Sequence, residues 1–414
     1  MTPSIWTPSG SCAACAKCKR ICGPCSYHTD CQYCGVDSHK RTAGSLQKAH
    51  FYPMTVSSGI RPRAAEACAN DARMTRDLTM QGTPPILRAS TRLHDQKPDA
   101  LASNSGNYLS AMKTGFALPN IGPVATAEAV VKVAQRAEAL GYDSLWTIER
   151  LLWPVKPQTP YPVTPDGLLP EQYKCSLDPL DTLTFAAAHT KTITLGTSVL
   201  DIPYHNPVTL GRRLTTIDFL SNGRLRVGLG LGWSKDEMDA TGADMKQRGA
   251  MADEFLPALK AIWTTNPVEF HGKFYQIPKS YLNLKPVQRP HPPIYLAAFA
   301  PAAMKRLATM ADGWNPVAIP VDGMAQMFSA VKQMAKEAGR DPSSLVMVVR
   351  GNLEVTDKPL GDKRVIFSGS MEQIKEDIAG CKRIGAHELF FDPTFQAQSL
   401  QEWLALMEQF RKLV

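Results

Sequence analysis

From Thr114 to the C-terminus, short apolar runs alternate with longer stretches whose apolar residues recur every three to four positions. TGFALPN reads as a buried strand, and AEAVVKVAQRAEALG as an amphipathic helix with Ala129, Val133, Ala137 and Leu140 on one face and a stop at Gly141. YDSLWTI, ITLGTSVL, RLRVGLGLG, PPIYLA, LVMVVRGNLEV and HELFF continue the strand series. DTLTFAAAHT, PVTLGRRLTTIDFLSNG and segments near 249–264, 301–311, 323–338, 371–384 and 398–412 read as helices between them. Such alternation demands an α/β fold with a parallel sheet. About eight strand candidates over some 300 residues fit a closed (β/α)8 TIM barrel, although periodicity alone also allows a doubly wound open sheet. In a barrel the chemistry sits where strands end, here Thr147–Arg150, Thr197–Leu200, Gly228–Trp233, Leu296–Pro301 and Gly313–Pro316.

Residues 1–111 have a different grammar. They show no sustained hydrophobic period and are rich in Pro, Ser, Thr, Gly and Asn, so little apolar burial offsets the entropy of ordering them. They hold 13 Lys/Arg against 7 Asp/Glu, so most of the chain's net charge of +8 lies there and the remainder is near neutral. A near-neutral main domain gives no charge argument for nucleic acid or a membrane surface. Eight of the ten cysteines fall between Cys12 and Cys68. Cys12, Cys15, Cys18 and Cys22 have ferredoxin-like spacing, and Cys22/Cys25 and Cys31/Cys34 form zinc-like pairs. Gly23 stands where a ferredoxin run has Pro, and the apolar context is thin, so no metal is expected. The stretch reads as a disordered extension or as sequence ahead of a natural start at Met112. A chain begun at Met112 is expected to fold and bind its cofactor as the full chain does; an insoluble product would show that the extension belongs to the fold. Without an apolar run of about 18 residues or a signal-like N-terminus, the expected compartment is cytoplasmic.

Several strand-end residues suit a bound heterocycle, each with a plainer alternative. Glu149 and Arg150 can hydrogen-bond a ring or steer an acidic tail, or form a surface ion pair. Gly228, Gly230 and Gly232 lack dinucleotide-fingerprint spacing, but they can let a planar ring approach the backbone. Trp233 can cover such a ring or be a packed lid, while Asp236 and Glu237 can bind or merely complement a helix dipole. The small residues Ala297, Ala298, Ala300 and their neighbour Phe299 precede a helix, whose N-terminus attracts phosphate. Ser370 reads as a helix cap rather than a second phosphate site. His205, in a turn before Pro207, is an acid/base candidate or a structural turn residue.

GYDSLWTIER, the run from LGTSVLDIPYHNPVTLGRRLTTIDFL to SNGRLRVGLGLGWSKDEM, and KPVQRPHPPIYLAAFAPAAMKRLATMADGWNP together resemble the luciferase-like monooxygenase superfamily, most closely its F420-dependent branch. The resemblance spans Lys113 to Val414. It implies a barrel of bacterial-luciferase type that transfers hydride between coenzyme F420 and a small organic substrate. It implies catalytic roles for Glu149 and Trp233. Cofactor contacts are implied at Arg150, Thr197, Ser198, Val199, Gly230, Gly232, Ala297, Ala298, Phe299 and Ala300. Relatives often have a strained non-prolyl peptide at the Thr197–Val199 position, an acid followed by His where Glu149–Arg150 stands, and Gly where Phe299 stands. An FMN-dependent monooxygenase using O2 is the alternative, and a non-catalytic cofactor-binding barrel a further one. F420 is expected to bind more tightly than FMN, because Arg150, Lys156, Lys305 and Arg306 would offer a basic mouth to its acidic tail. The loop Leu152–Pro179 is expected to line or cover the substrate pocket. A homodimer is compatible with this reading; nucleic acid and membrane partners are not expected.

Overall fold

In the computed structural model, which describes residues 111–164 and 166–414, the alternation read from the sequence is a ring of parallel strands. Strand β1 (Lys113–Ala117) leads to helix α1 (Ala127–Ala139), where the Thr126 hydroxyl accepts from the Ala129 N–H and Gly141 takes a left-handed φ of 77° past the end. β2 (Ser144–Thr147), α2 (Pro179–His189), β3 (Thr194–Thr197), the short β4 (Leu200–Asp201), α3 (Pro207–Leu220) and β5 (Leu225–Gly230) follow. Next come α4 (Lys235–Thr241), α5 (Arg248–Thr264), the hairpin β6 (Val268–His271) and β7 (Gln276–Ser280), and β8 (Ile294–Leu296). The last third supplies α6 (Pro301–Met310), β9 (Gly313–Trp314), α7 (Val321–Glu337), β10 (Val346–Asn352), β11 (Glu354–Val355), β12 (Ser368–Gly369), α8 (Met371–Arg383), β13 (Glu388–Asp392) and α9 (Leu400–Arg411). The β6–β7 hairpin is an addition that the sequence reading lacks.

Strands β1, β2, β3, β5, β8, β9, β10 and β13 pair in that order, and β13 pairs back on β1. The ring closes and every barrel pairing is parallel, which settles a barrel over an open sheet. Alternate residues face outward, so Leu225, Val227 and Leu229 join the apolar layer beneath the helices. Inside, Trp146, Tyr295, Val348 and Phe390 fill the barrel, with Trp146 stacked on Phe390 at 4.8 Å. Gly115 and Gly196 make room for that indole. A Cβ on Gly115 would lie 2.9 Å from Trp146 Nε1, and one on Gly196 would collide with the same ring.

Below the aromatic layer, at the strand N-termini, lies a buried polar knot. The Glu388 carboxylate accepts from Ser144 Oγ, from Trp146 Nε1 at 3.2 Å, and from the Arg226 guanidinium. The opposite end of the barrel, where the strands run out, is the mouth.

Candidate active site

Three residues past the end of β1 the chain is already shaping this mouth: Asn120 donates to the Ile148 carbonyl at 2.8 Å and accepts from its N–H at 3.2 Å. Glu149 follows at the end of β2. It is buried, with Oε1 2.8 Å from His205 Nε2 and Oε2 accepting from the Asp201 N–H at 2.7 Å. Glu149 is therefore anchored on two sides, and the sequence candidate His205 acts as its partner.

Arg150 does not face outward. Its side chain is 7% exposed, with Nη2 3.2 Å from Glu237 Oε2 and 3.7 Å from Asp201 Oδ2. Its guanidinium lies 5.1 Å from the Trp233 ring and 5.6 Å from that of Tyr173. Glu237, fully buried, also accepts the Leu151 N–H at 2.8 Å and the Tyr204 hydroxyl at 3.2 Å. Asp201 takes the Gly232 N–H at 2.9 Å. Burial raises the Asp201 carboxyl from its ordinary 3.8 to about 7; Arg150 opposes this, and the Glu149 and Glu237 carboxylates add to it.

This geometry corrects the expectation of a basic mouth. Arg150 is matched by two carboxylates, and Arg306 is buried against α5, its Nε 2.7 Å from Asp253 Oδ1. Lys156 and Lys305 are the exposed members of the set. Charge counts along a sequence do not reveal such pairing, because the acids come from elements 51 to 87 positions away along the chain.

The Ser198–Val199 peptide is cis, at the place where the family resemblance implied an unusual peptide. The Thr197 hydroxyl donates to the Gly228 carbonyl at 2.8 Å, and Ser198 Oγ lies 2.6 Å from Asn315 Oδ1. The glycines of GLGLG serve this bulge. A Cβ on Gly228 would strike the Thr197 carbonyl, and one on Gly230 would come within 2.7 Å of Val199 Cγ2 and Asp201 Oδ1. Gly232, with φ 70°, faces Tyr204 and Met238. Their missing side chains admit protein atoms, a closer use than the ring approach expected from sequence.

Ala297 donates its N–H to the Leu229 carbonyl at 2.9 Å, tying β8 to β5. Ala298 is buried and Phe299 exposed. Helix α6 begins at Pro301 after Ala300 with no side chain capping it, so its first-turn N–H groups remain open to an anion. A small cavity beside it is lined by Gly230, Leu231, Ala297, Ala298, Ala303 and Arg306. By contrast α8 is closed by a capping box of Ser370 and Gln373, as the sequence reading held for Ser370.

The loop between β2 and α2 folds back over the mouth. Tyr161, Leu169 and Tyr173 pack with Ile121 and Ile148, and Trp233 leans on Tyr161 at 5.1 Å. The Tyr161 and Tyr173 hydroxyls are 3.1 Å apart, and burial raises the Tyr161 phenol well above its ordinary range. Trp233 is thus part of a packed aromatic cover.

Sequence reasoning missed Asp201, Arg350 and Asp392. Arg350 Nη2 lies 2.6 Å from Asp392 Oδ2, and Nη1 donates to the Ser198 carbonyl at 3.1 Å. The signal was present: an arginine inside the apolar run VMVVRGN and an aspartate ending ELFFD are costly to bury unless paired.

Comparison with known proteins agrees with this architecture. Residues 108–360 match the family described as luciferase-like monooxygenase. An uncharacterized protein of Mycobacterium tuberculosis is 36% identical over 232 residues, covering 56% of this chain and 79% of that one. An FMNH2-dependent dimethylsulfone monooxygenase of Pseudomonas putida is 31% identical over 155 residues, 37% of this chain and 42% of the relative. An F420-dependent glucose-6-phosphate dehydrogenase of Amycolatopsis mediterranei is 28% identical over 219 residues, 50% and 60% respectively. The crystal structure of monooxygenase RslO1 from Streptomyces bottropensis superposes with a TM-score of 0.60 at 21% identity, covering 73% of this chain and 98% of that one. The chain belongs to the luciferase-like monooxygenase family and is a (β/α)8-barrel oxidoreductase of that class.

Proposed function

We propose that the chain is an FMN-dependent monooxygenase that acts on a small organic substrate with reduced flavin and O2. The observation that carries this choice over a deazaflavin is the pairing of Arg150 with Glu237 and Asp201. A poly-glutamate tail would approach a mouth whose buried guanidinium is already matched and beside which the Glu149 carboxylate is also buried. The 31% identity to an FMNH2-dependent enzyme supports the same reading.

The residues present fit a flavin phosphate. The uncapped start of α6 offers first-turn N–H donors, and the small cavity beside it, lined by Ala298 and Ala303, marks where the phosphate would dock. When bound and reduced, the flavin would supply the two electrons and two protons that carry one atom of O2 to water while the other enters the substrate. The Ser198–Val199 bulge and Gly230 would back the ring, and Glu149, fixed by His205 and the Asp201 N–H, would orient it. Asp201, whose carboxyl titrates near neutrality, can hold or release a proton at its side-chain oxygens. Tyr161, Tyr173 and Trp233 would keep bulk water from the mouth.

The test is a titration of the full chain with FMN and with F420 at low and high salt. FMN should bind at least tenfold more tightly, about 1.4 kcal/mol, with little salt dependence because Arg150 is internally matched. Tighter, salt-sensitive F420 binding would move the protein to deazaflavin hydride transfer. The exposed Lys156 and Lys305, and the 28% identity to an F420-dependent enzyme, favour that second reading.

A further inference from the structure

We propose that Arg350 and Asn352, on the half of the barrel mouth away from the flavin reading's phosphate cavity, bind a neutral organic substrate through a carbonyl oxygen lying next to an N–H or O–H, as in a carboxamide or lactam. Residues two apart on a strand share a face, and Val348, two before Arg350 on β10, packs inside the barrel with Trp146 and Phe390. Arg350 and Asn352 therefore stand one above the other on the inner face, toward the mouth. Arg350 is 9% exposed. Two of its nitrogens are used, on Asp392 and on the Ser198 carbonyl. Its Nε–H and the Asn352 Oδ1 are both buried and have no partner among the described residues. Buried polar atoms without partners are uncommon and destabilising. A donor and an acceptor left open on one face call for a ligand that offers an acceptor beside a donor.

Charge selects a neutral ligand. Asp392 already balances Arg350, and Glu237 balances Arg150 at the same mouth. An anionic substrate would find neither guanidinium unmatched. The pair stands beside the ring-backing bulge and apart from the phosphate cavity: Arg350 holds the Ser198 carbonyl of the cis peptide, whereas the cavity beside α6 is lined from β5 and β8, three and two strands from β10 in the closed ring. The joined hydroxyls of Tyr161 and Tyr173 lie near enough to Arg350 to interact with its charge.

The proposal rests on the flavin reading only for what fills the other half, so the test uses the full chain both with and without FMN. The probes are 2-pyrrolidinone, which sets a carbonyl beside an N–H, and N-methyl-2-pyrrolidinone, which keeps the carbonyl and loses the donor. Titration followed by saturation-transfer NMR should show at least tenfold preference for 2-pyrrolidinone in the wild type. Asn352→Leu should abolish the preference while FMN affinity stays within twofold, and Arg350→Lys should weaken both lactams at least fivefold. Equal binding of the two lactams by the wild type, a comparison that needs no variant, overturns the proposal. So does a tenfold loss of FMN affinity in Asn352→Leu, which would assign the pair to the flavin ring's own imide edge. Absent FMN binding with the lactam preference intact in the cofactor-free chain sinks the flavin reading alone.

Discussion

Glu388→Ala should destabilise the barrel by about 3–5 kcal/mol, because removing one partner of a buried ion pair leaves the other charge uncompensated. Glu388 is 2% exposed, and its carboxylate on β13 gathers Arg226 from β5 and Ser144 and Trp146 from β2. Its loss strands the Arg226 guanidinium, whose side chain is 12% exposed, above the floor of the barrel. With an unfolding entropy of about 2.1 cal/mol/K per residue over some 300 residues, the melting temperature should fall by roughly 5–8 °C. Glu388→Gln should recover part of the loss, since an amide oxygen still accepts from Ser144 and Trp146, yet Arg226 stays unmatched. Replacing both charged residues by leucine should cost less than Glu388→Ala, because no orphan charge remains. FMN affinity should not change, since the knot sits at the strand N-termini, away from the mouth. Chemical denaturation of the four proteins settles the matter; a loss below about 1 kcal/mol in Glu388→Ala would mean that water or a rearranged Arg226 meets the charge.

Much of the fold was legible because its determinants are local. The helix beginning at Ala127 announces itself through Thr126, the 129/133/137 stripe and Gly141, and each has the structural role that its chemistry suggests. Strand ends were legible for the same reason, so Glu149, Ser198, Gly230 and Ala297 all stand at the mouth. What a side chain does once there depends on partners far along the chain. Arg150 reads as an anion-steering cation until Asp201 and Glu237 reach it, and Gly228 reads as space for a ligand until the Thr197 carbonyl fills it. Arg350 and Asp392 are separated by 42 positions and joined by the parallel pairing of β10 with β13. The cysteine pairs at 12–34 and the boundary expected at Met112 concern a stretch lying almost wholly outside the described residues. Among those residues no cluster of metal-ligating side chains occurs, and no helix is long and apolar enough to cross a membrane.

Asp201→Asn should flatten the pH dependence of stability between about pH 4 and pH 7. Burial raises this carboxyl from its ordinary 3.8 to about 7, against the pull of Arg150 and with Glu149 and Glu237 adding to the rise. In the folded chain Asp201 therefore keeps its proton through a range in which the unfolded chain has lost it. The sign follows from linkage: where the native state binds more protons than the unfolded state, stability falls as pH rises. Its contribution is fully present below about pH 4 and is lost by the time the pH passes the folded value near 7. About three pH units at ~1.4 kcal/mol each make the loss on the order of 4 kcal/mol. Asparagine cannot ionise, yet its side-chain oxygen can still accept the Gly232 N–H, which now lies 2.9 Å from Asp201 Oδ1. Arg150 loses its 3.7 Å neighbour and keeps Glu237 at 3.2 Å. Relative to the wild type, the variant should therefore gain stability from pH 4 to about pH 7 and level off by pH 8. Urea denaturation at pH 4, 5, 6, 7 and 8 reads this directly, with Glu237→Gln as the comparison that removes the nearer carboxylate of Arg150 and leaves Asp201 in place. Parallel pH profiles for wild type and Asp201→Asn would show that Asp201 ionises at its ordinary value, held as a carboxylate by Arg150. It would then be a fixed counter-charge at the mouth, unable to pass a proton near neutral pH.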